Sequence, residues 1–133
     1  METSCGVVLV NFDSILLLQY PQGHWDLPKG HIETYDKNHK DTALRELTEE
    51  TGITNISWID GFSKTTKYSF MKKGKKIEKK VWWMLAKTSE MNIELSDEHL
   101  NYMWLDWDSA INQATHNETK SVISAAKLFF NTN

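Results

Sequence analysis

Arg45-Glu46-Leu47-Thr48-Glu49-Glu50-Thr51-Gly52-Ile53 is the stretch on which the fold of this 133-residue chain turns. At roughly 100° per helical residue, Glu49 and Glu50 fall about 60° behind and about 40° ahead of Glu46, so three carboxylates share one face. Leu44, Leu47 and Thr51 take the opposite side, as a helix packed on a sheet requires. Carboxylates spaced i, i+3 and i+4 repel one another, and two of them occupy the last turn, where the helix dipole disfavours negative charge. Each penalty is a few tenths to about 1 kcal/mol, and both have the same sign. A local rule broken in this way implies a compensating partner, and a hard divalent cation with oxygen ligands supplies one. On the helix alone, a solvated acidic face partly neutralised by Arg45 is the equally plain alternative.

Working outward, residues 5–10 (Cys-Gly-Val-Val-Leu-Val) and 15–20 (Ile-Leu-Leu-Leu-Gln-Tyr) read as buried strands of a hairpin turning at Asn11-Phe12-Asp13-Ser14. Residues 21–37 contain both prolines and two of the six glycines, which predicts a long loop of the kind that often carries function. A helix from about Asn38 to Thr51 follows, with Gly52 placed to end it in a left-handed cap. Residues 55–71 look extended, Lys72-Lys73-Gly74-Lys75-Lys76 reads as a turn, and residues 77–87 return as a strand. Trp82 and Trp83 therefore point to opposite faces, one into the core and one outward, and serve packing more than base binding.

A short strand is expected around Tyr102-Met103-Trp104-Leu105, then a helix capped by Asp106 or Asp108 and running to about Ala114. Asn117 is the expected cap of a last helix whose Val122, Ile123, Ala126, Phe129 and Phe130 form an apolar stripe. Strands interspersed with helices predict an α+β domain, a sheet covered on its faces by helices.

The length fits one domain over residues 1–133, and 40% hydrophobic residues with six Trp and five Phe can fill its core. A net charge of −3 makes the whole chain a poor ligand for DNA or an anionic membrane. Cys5, the one cysteine, excludes an internal disulfide and a four-cysteine zinc site. Met1-Glu2-Thr3 does not open a basic region followed by a long apolar stretch, and no apolar run is long enough to cross a bilayer. The expectation is a soluble cytoplasmic monomer.

Gly30 together with Arg45–Ile53 resembles the Nudix box: a glycine, a glutamate, then Arg-Glu-apolar-x-Glu-Glu-x-Gly-apolar. The helical half matches at every fixed position. The interval from Gly30 to Arg45 is one residue longer than the family pattern, and the intermediate glutamate is not in place. Asp36 is its nearest substitute, with Glu33 the other candidate. Gly23-His24-Trp25-Asp26-Leu27-Pro28-Lys29-Gly30-His31-Ile32-Glu33 is similar to the segment before the box in asymmetric diadenosine tetraphosphate hydrolases. So are Leu95-Ser96-Asp97-Glu98-His99, Tyr102–Leu105, Phe62, Tyr68, Lys79 and the strand around Val81–Ala86.

That resemblance implies a Nudix-type α/β/α sandwich with a mixed central sheet, and hydrolysis of a pyrophosphate linkage in a nucleotide. It implies magnesium as cofactor, with manganese a substitute, held by Glu46, Glu49, Glu50, Glu98 and the carbonyl of Gly30. Arg45 would orient the carboxylates, and Glu50 or Glu98 would take the proton from the attacking water. Lys29, His31 and Lys79 would meet phosphate, and Tyr68 would stack on the base. Read without the family, Glu98, Lys29 and Lys79 are ordinary exposed charges, the histidines 24 and 31 are solvated, and Tyr68 is a strand residue.

The leading expectation is asymmetric cleavage of diadenosine tetraphosphate to ATP and AMP. Six lysines between Lys72 and Lys80 also suit an RNA 5′ end, so removal of pyrophosphate from triphosphorylated RNA is the alternative reaction. The plain reading of Lys72–Lys76 is a hairpin kept soluble by its charges. A nucleotide sensor without turnover is the third reading, disfavoured by the intact Glu46, Glu49 and Glu50.

Overall fold

The computed structural model describes residues 1–132. The buried run near the N-terminus becomes β1 (Glu2–Asn11), which turns through Phe12 into β2 (Ser14–Gln19). Val7 and Leu9 face one side of β1, Val8 and Val10 the other, and all four are fully buried. A strand apolar on both faces must be covered on both, and it is. Val7, Leu9, Leu16 and Leu18 pack with Leu47 of α1 (His39–Thr51). Val8, Val10, Ile15 and Leu17 pack with Trp107 of α2 (Trp107–Gln113) and with Val122, Ile123 and Ala126 of α3 (Asn117–Thr132).

Between β2 and α1 lie two short strands, β3 (Trp25–Asp26) and β4 (Lys29–His31), and beyond α1 another, β5 (Ser57–Trp58). A long hairpin follows, β6 (Lys64–Lys72) and β7 (Lys75–Lys87), and then β8 (Asn101–Asp106). The sheet is mixed: β1 runs parallel to β7 from Glu2↔Lys79 to Val10↔Lys87, and the other pairings are antiparallel. β1 and β7 lie at its centre, β2 and β3 beyond one side, and β4, β6 and β8 join β1, β7 and β2 respectively. This is the α/β/α arrangement expected from the sequence.

Three local expectations need correction. Residues 21–37 are not one unbroken loop, because β3 pairs with β2 and β4 pairs with β1, pulling Pro28–Gly30 across the sheet. Asn117 does not cap the last helix but is its first residue, and the carbonyl of His116 accepts from Lys120 N–H. Leu44 is only half-buried, while Leu47 and Thr51 are buried as expected. Of the two possible caps of α2, Asp106 is the one used, accepting from Ser109 N–H at 2.8 Å. Trp83 is buried and Trp82 half-exposed, as their alternation requires. No described helix is long and apolar enough to cross a membrane.

Candidate active site

α1 is the rod on which the site is mounted. Its start is fixed by Asn38, in extended conformation, whose side chain accepts from Asp41 N–H at 2.8 Å. Its end is fixed by Gly52 at φ 79°, a left-handed cap that a β-carbon would strain, with its N–H on the Thr48 carbonyl at 2.8 Å. Leu47 anchors one face in the core, so Glu46 and Glu50 turn toward the cleft beside β4.

Contact between β4 and α1 is closest at Gly30. A β-carbon there would overlap the Glu46 carboxyl group, so glycine is what allows this carboxylate to lie against the backbone. Burial raises the proton affinity of Glu46, and the nearby Glu49 adds to it.

Arg45 holds this corner together. Its guanidinium grips Asp36 in two parallel bonds, Nε to Oδ1 at 3.0 Å and Nη2 to Oδ2 at 2.9 Å. It also donates to Glu46 Oε1 at 3.0 Å, to Glu49 Oε1 at 3.3 Å and to the carbonyl of His31 at 2.9 Å. Asp36, its side chain only 3% exposed, accepts further bonds from Glu33 N–H and Thr42 Oγ1, both at 2.8 Å. The Arg45 guanidinium holds the Asp36 carboxyl well below the usual carboxylate range. Asp36 thus links the lengthened loop, the first turns of α1 and the arginine, while Glu33 serves the loop through its backbone.

Glu50 is buried at the floor of the cleft. Burial, then repulsion from Glu46, pushes its carboxyl up to about 9. Its Oε1 has no hydrogen-bond partner. Its Oε2 lies 3.7 Å from Nε2 of His99, a histidine whose pKa burial lowers, against the pull of the Glu98 charge and with that of Lys29. Glu98, exposed, lines the same cleft.

The cleft, about 440 Å³, is further lined by Tyr20, His24, Lys29, Gly30, His31, Glu33, Tyr68 and Lys79. Lys29 is not a free cation: its Nζ bonds Asp26 Oδ2 at 2.6 Å and lies 4.8 Å above the Tyr20 ring. Asp26, buried, also accepts from Thr119 Oγ1 of α3 at 2.9 Å, which ties β3 to that helix. The second cation, Lys79, is opposite Tyr68 on the paired strands β7 and β6, and burial and the Lys29 charge push its ammonium pKa down. His31 is half-exposed, 4.0 Å from Glu2.

Around Lys29 and Tyr68 the cleft continues into a second cavity of about 380 Å³, with Tyr68, Phe70, Val81 and Trp83 on one wall and His24, His116 and Thr119 on the other. An apolar pocket with a few polar groups, joined to a cleft holding carboxylates and two lysines, has the form of a nucleoside pocket beside a phosphate channel.

Of the residues expected from the sequence, Gly30, Glu46, Glu50, Glu98, Lys29, His31, Tyr68 and Lys79 all line one cleft. Arg45 stands behind it. Glu49 does not face inward as the helical wheel predicts: its side chain is 57% exposed, turned to solvent and held at one edge by Arg45. Among the described residues no three His, Cys, Asp or Glu side chains are gathered closely enough to hold a metal ion. The donor set nonetheless fits a divalent cation, because a buried carboxylate oxygen without a partner faces a second carboxylate pressed on a backbone strand. Tyr20, Asp26 and His99 were not singled out by sequence reasoning. Asp26 and His99 lie in segments that carry the family likeness, but nothing in their spacing marks them.

Residues 2–126 match the NUDIX domain family model, and the chain belongs to the Nudix family. It is 37% identical to the rat bis(5′-nucleosyl)-tetraphosphatase [asymmetrical] over 119 residues, 86% of this chain and 78% of that protein. The mouse protein of the same name is 38% identical over 120 residues, with the same coverage. Among solved structures, a Caenorhabditis elegans Ap4A hydrolase binary complex superposes with a TM-score of 0.85 at 28% identity, covering 100% of both chains. The Escherichia coli dihydroneopterin triphosphate pyrophosphohydrolase, at 21% identity and TM-score 0.76 over 92% of both chains, shares the fold.

Proposed function

We propose that this protein is a magnesium-dependent Nudix hydrolase that cleaves diadenosine tetraphosphate asymmetrically into ATP and AMP. The observation that carries the reading is the buried, unpartnered carboxylate oxygen of Glu50 facing Glu46 in a cleft that opens directly into an aromatic pocket. The rat and mouse relatives, named asymmetrical tetraphosphatases, support the substrate. Glu46, Glu50, Glu98 and the Gly30 carbonyl are the groups that would hold magnesium or manganese, with Glu49 reaching in from the rim. A divalent cation there neutralises phosphate charge and makes water a better nucleophile.

The chain's own residues do the rest. Arg45, locked by Asp36, keeps Glu46 against Gly30. Lys79 and Lys29 meet the phosphates, Lys29 pre-oriented by Asp26, and His31 lies at the channel's mouth. Tyr68 and the wall around it receive an adenine. Water adds to phosphorus as the bridging P–O bond breaks, and its proton passes to Glu50 or Glu98, both of which line the cleft. The lone buried Cys5 suits a cytoplasmic setting.

A second substrate reading is favoured by one observation. Residues 64–80 carry eight lysines against one glutamate in a chain of net charge −3. Among the described residues none of these lysines forms an ion pair. Tyr68 opposite Lys79, Phe70 opposite Ile77 and Lys72 opposite Lys75 share one face of the hairpin, leading out of the cleft. A 5′-triphosphorylated RNA would find stacking rings and cations there in turn. Rates on diadenosine tetraphosphate and on a triphosphorylated oligonucleotide, with magnesium and with a chelator, test both. Equimolar ATP and AMP, lost with the chelator and in Glu50→Gln, is the expected result. RNA conversion alone moves the substrate to the second reading, and nucleotide binding without turnover of either contradicts the enzyme.

A further inference from the structure

His99 and Glu50 are two buried groups, each left with an unsatisfied atom, and they face one another. The His99 side chain is 1% exposed, its Nε2 has no hydrogen-bond partner, and that nitrogen lies 3.7 Å from Glu50 Oε2. Buried polar groups are rarely left unpaired, so an unpartnered Nε2 beside a carboxyl group whose other oxygen, Oε1, is also unpartnered calls for an explanation.

The surroundings fix how the histidine presents itself. Ser96 N–H donates to the backbone carbonyl of Glu50 at 3.1 Å, and Glu94 N–H donates to that of Thr51 at 2.9 Å. These bonds stitch residues 94–96 onto the last turn of α1. Ser96 Oγ then lies 2.9 Å from His99 Nδ1 and accepts from Glu98 N–H at 3.3 Å. When the serine hydroxyl, which already accepts from Glu98 N–H, gives its single proton to Nδ1, the ring proton stands on Nε2. The Tyr20 ring, edge-on at 4.6 Å, holds the imidazole plane, and its own hydroxyl donates to the Leu27 carbonyl at 3.0 Å. The chain from the Glu50 backbone through Ser96 to His99 returns to within 3.7 Å of the Glu50 carboxyl group.

We propose that His99 is a positioning residue for Glu50, donating an Nε2–H hydrogen bond to Oε2 so that Oε1 is presented to the divalent cation. The inference rests on the reading of Glu50 as a cation ligand. Hydrogen bonds of this kind are commonly long before a site is loaded and shorten when it closes, and here the shift needed is less than 1 Å. An outer partner that holds a ligand in one rotamer is worth about 10–100-fold in cation affinity or activity. Ser96 acts one step further back, by selecting the tautomer.

Three variants and two readouts test it. Mn2+ titration followed by electron paramagnetic resonance measures cation affinity without turnover, and 15N NMR of the imidazole reports the tautomer in the Mg2+-loaded protein, where Glu50 is ionised. His99→Phe keeps the ring's bulk and removes the donor. It is expected to weaken Mn2+ binding about tenfold or more and to lower kcat to match, with KM for the nucleotide little changed. His99→Gln, whose amide reaches the same point as a donor, is expected to recover most of that loss. Ser96→Ala is expected to mix the tautomers and cost less than His99→Phe. A folded His99→Phe that binds Mn2+ as tightly as the parent overturns the proposal, as does an Nδ1–H tautomer in the parent protein. Glu50→Gln, titrated alongside, separates the two levels: unchanged affinity in that variant removes Glu50 itself as a ligand, whereas a loss there with none in His99→Phe removes only the histidine.

Discussion

Asp36 replaces a glutamate one methylene longer, at a place where the loop is one residue longer than the Nudix pattern. Its two oxygens meet Arg45 at 2.9 and 3.0 Å. Asp36→Asn leaves one oxygen and turns an acceptor into a donor facing a cation. Arg45 then loses its bidentate hold, Glu46 loses its orientation, and kcat is expected to fall about 10–100-fold with the fold intact. The same pair leaves a pH signature. Because the folded-state carboxyl lies below its ordinary value of 3.8, it contributes stability that is fully present above that value and lost as pH falls through the folded one. Urea unfolding from pH 7 downward is expected to show an acid limb that flattens in Asp36→Asn. An unchanged limb would mean that the ion pair adds nothing to the folded state.

At the scale of elements, the site depends on how closely β4 lies on α1. That distance is set by the absence of a side chain at Gly30, by the capped ends of α1 and by Leu47 in the core. Gly30→Ala forces the strand and the Glu46 carboxyl apart, and displacement of about 1 Å at a catalytic group costs on the order of 100-fold in rate. Turnover is therefore expected to drop at least that far while the melting temperature moves little, since β4 is three residues at the rim of the sheet. Comparing kcat with thermal unfolding checks it, and an alanine variant of normal rate would show that the close approach is incidental. The helix was legible in the sequence because its caps and its carboxylates lie in one contiguous run. β3 and β4 were not, since two- and three-residue strands leave no periodic trace and exist only through their partners β2 and β1. Glu49 shows the limit of a helical wheel, which gives direction from the axis but not depth: Arg45 Nη1 bonds both Glu46 and Glu49, yet the Glu49 side chain stays 57% exposed at the rim.

Over the whole molecule, the two-sided burial of β1 could be read from its apolar run, and the carboxylate helix from its spacing. What joins them into a site comes from distant segments. Asp26 meets Thr119, Ser96 meets Glu50 and Tyr20 meets His99, contacts between residues up to 93 positions apart that no local pattern encodes. The hairpin lysines gain meaning the same way, because register alone puts Tyr68, Phe70 and Lys79 on the face continuous with the cleft. The central claim is that this assembly directs water to one phosphorus of a dinucleoside tetraphosphate. Hydrolysis of diadenosine tetraphosphate in oxygen-18 water with magnesium, followed by mass spectrometry of the products, tests it most directly. Equal amounts of ATP and AMP, with a single labelled oxygen in only one of them, is the expected result. Two molecules of ADP, or label distributed over both products, would contradict it.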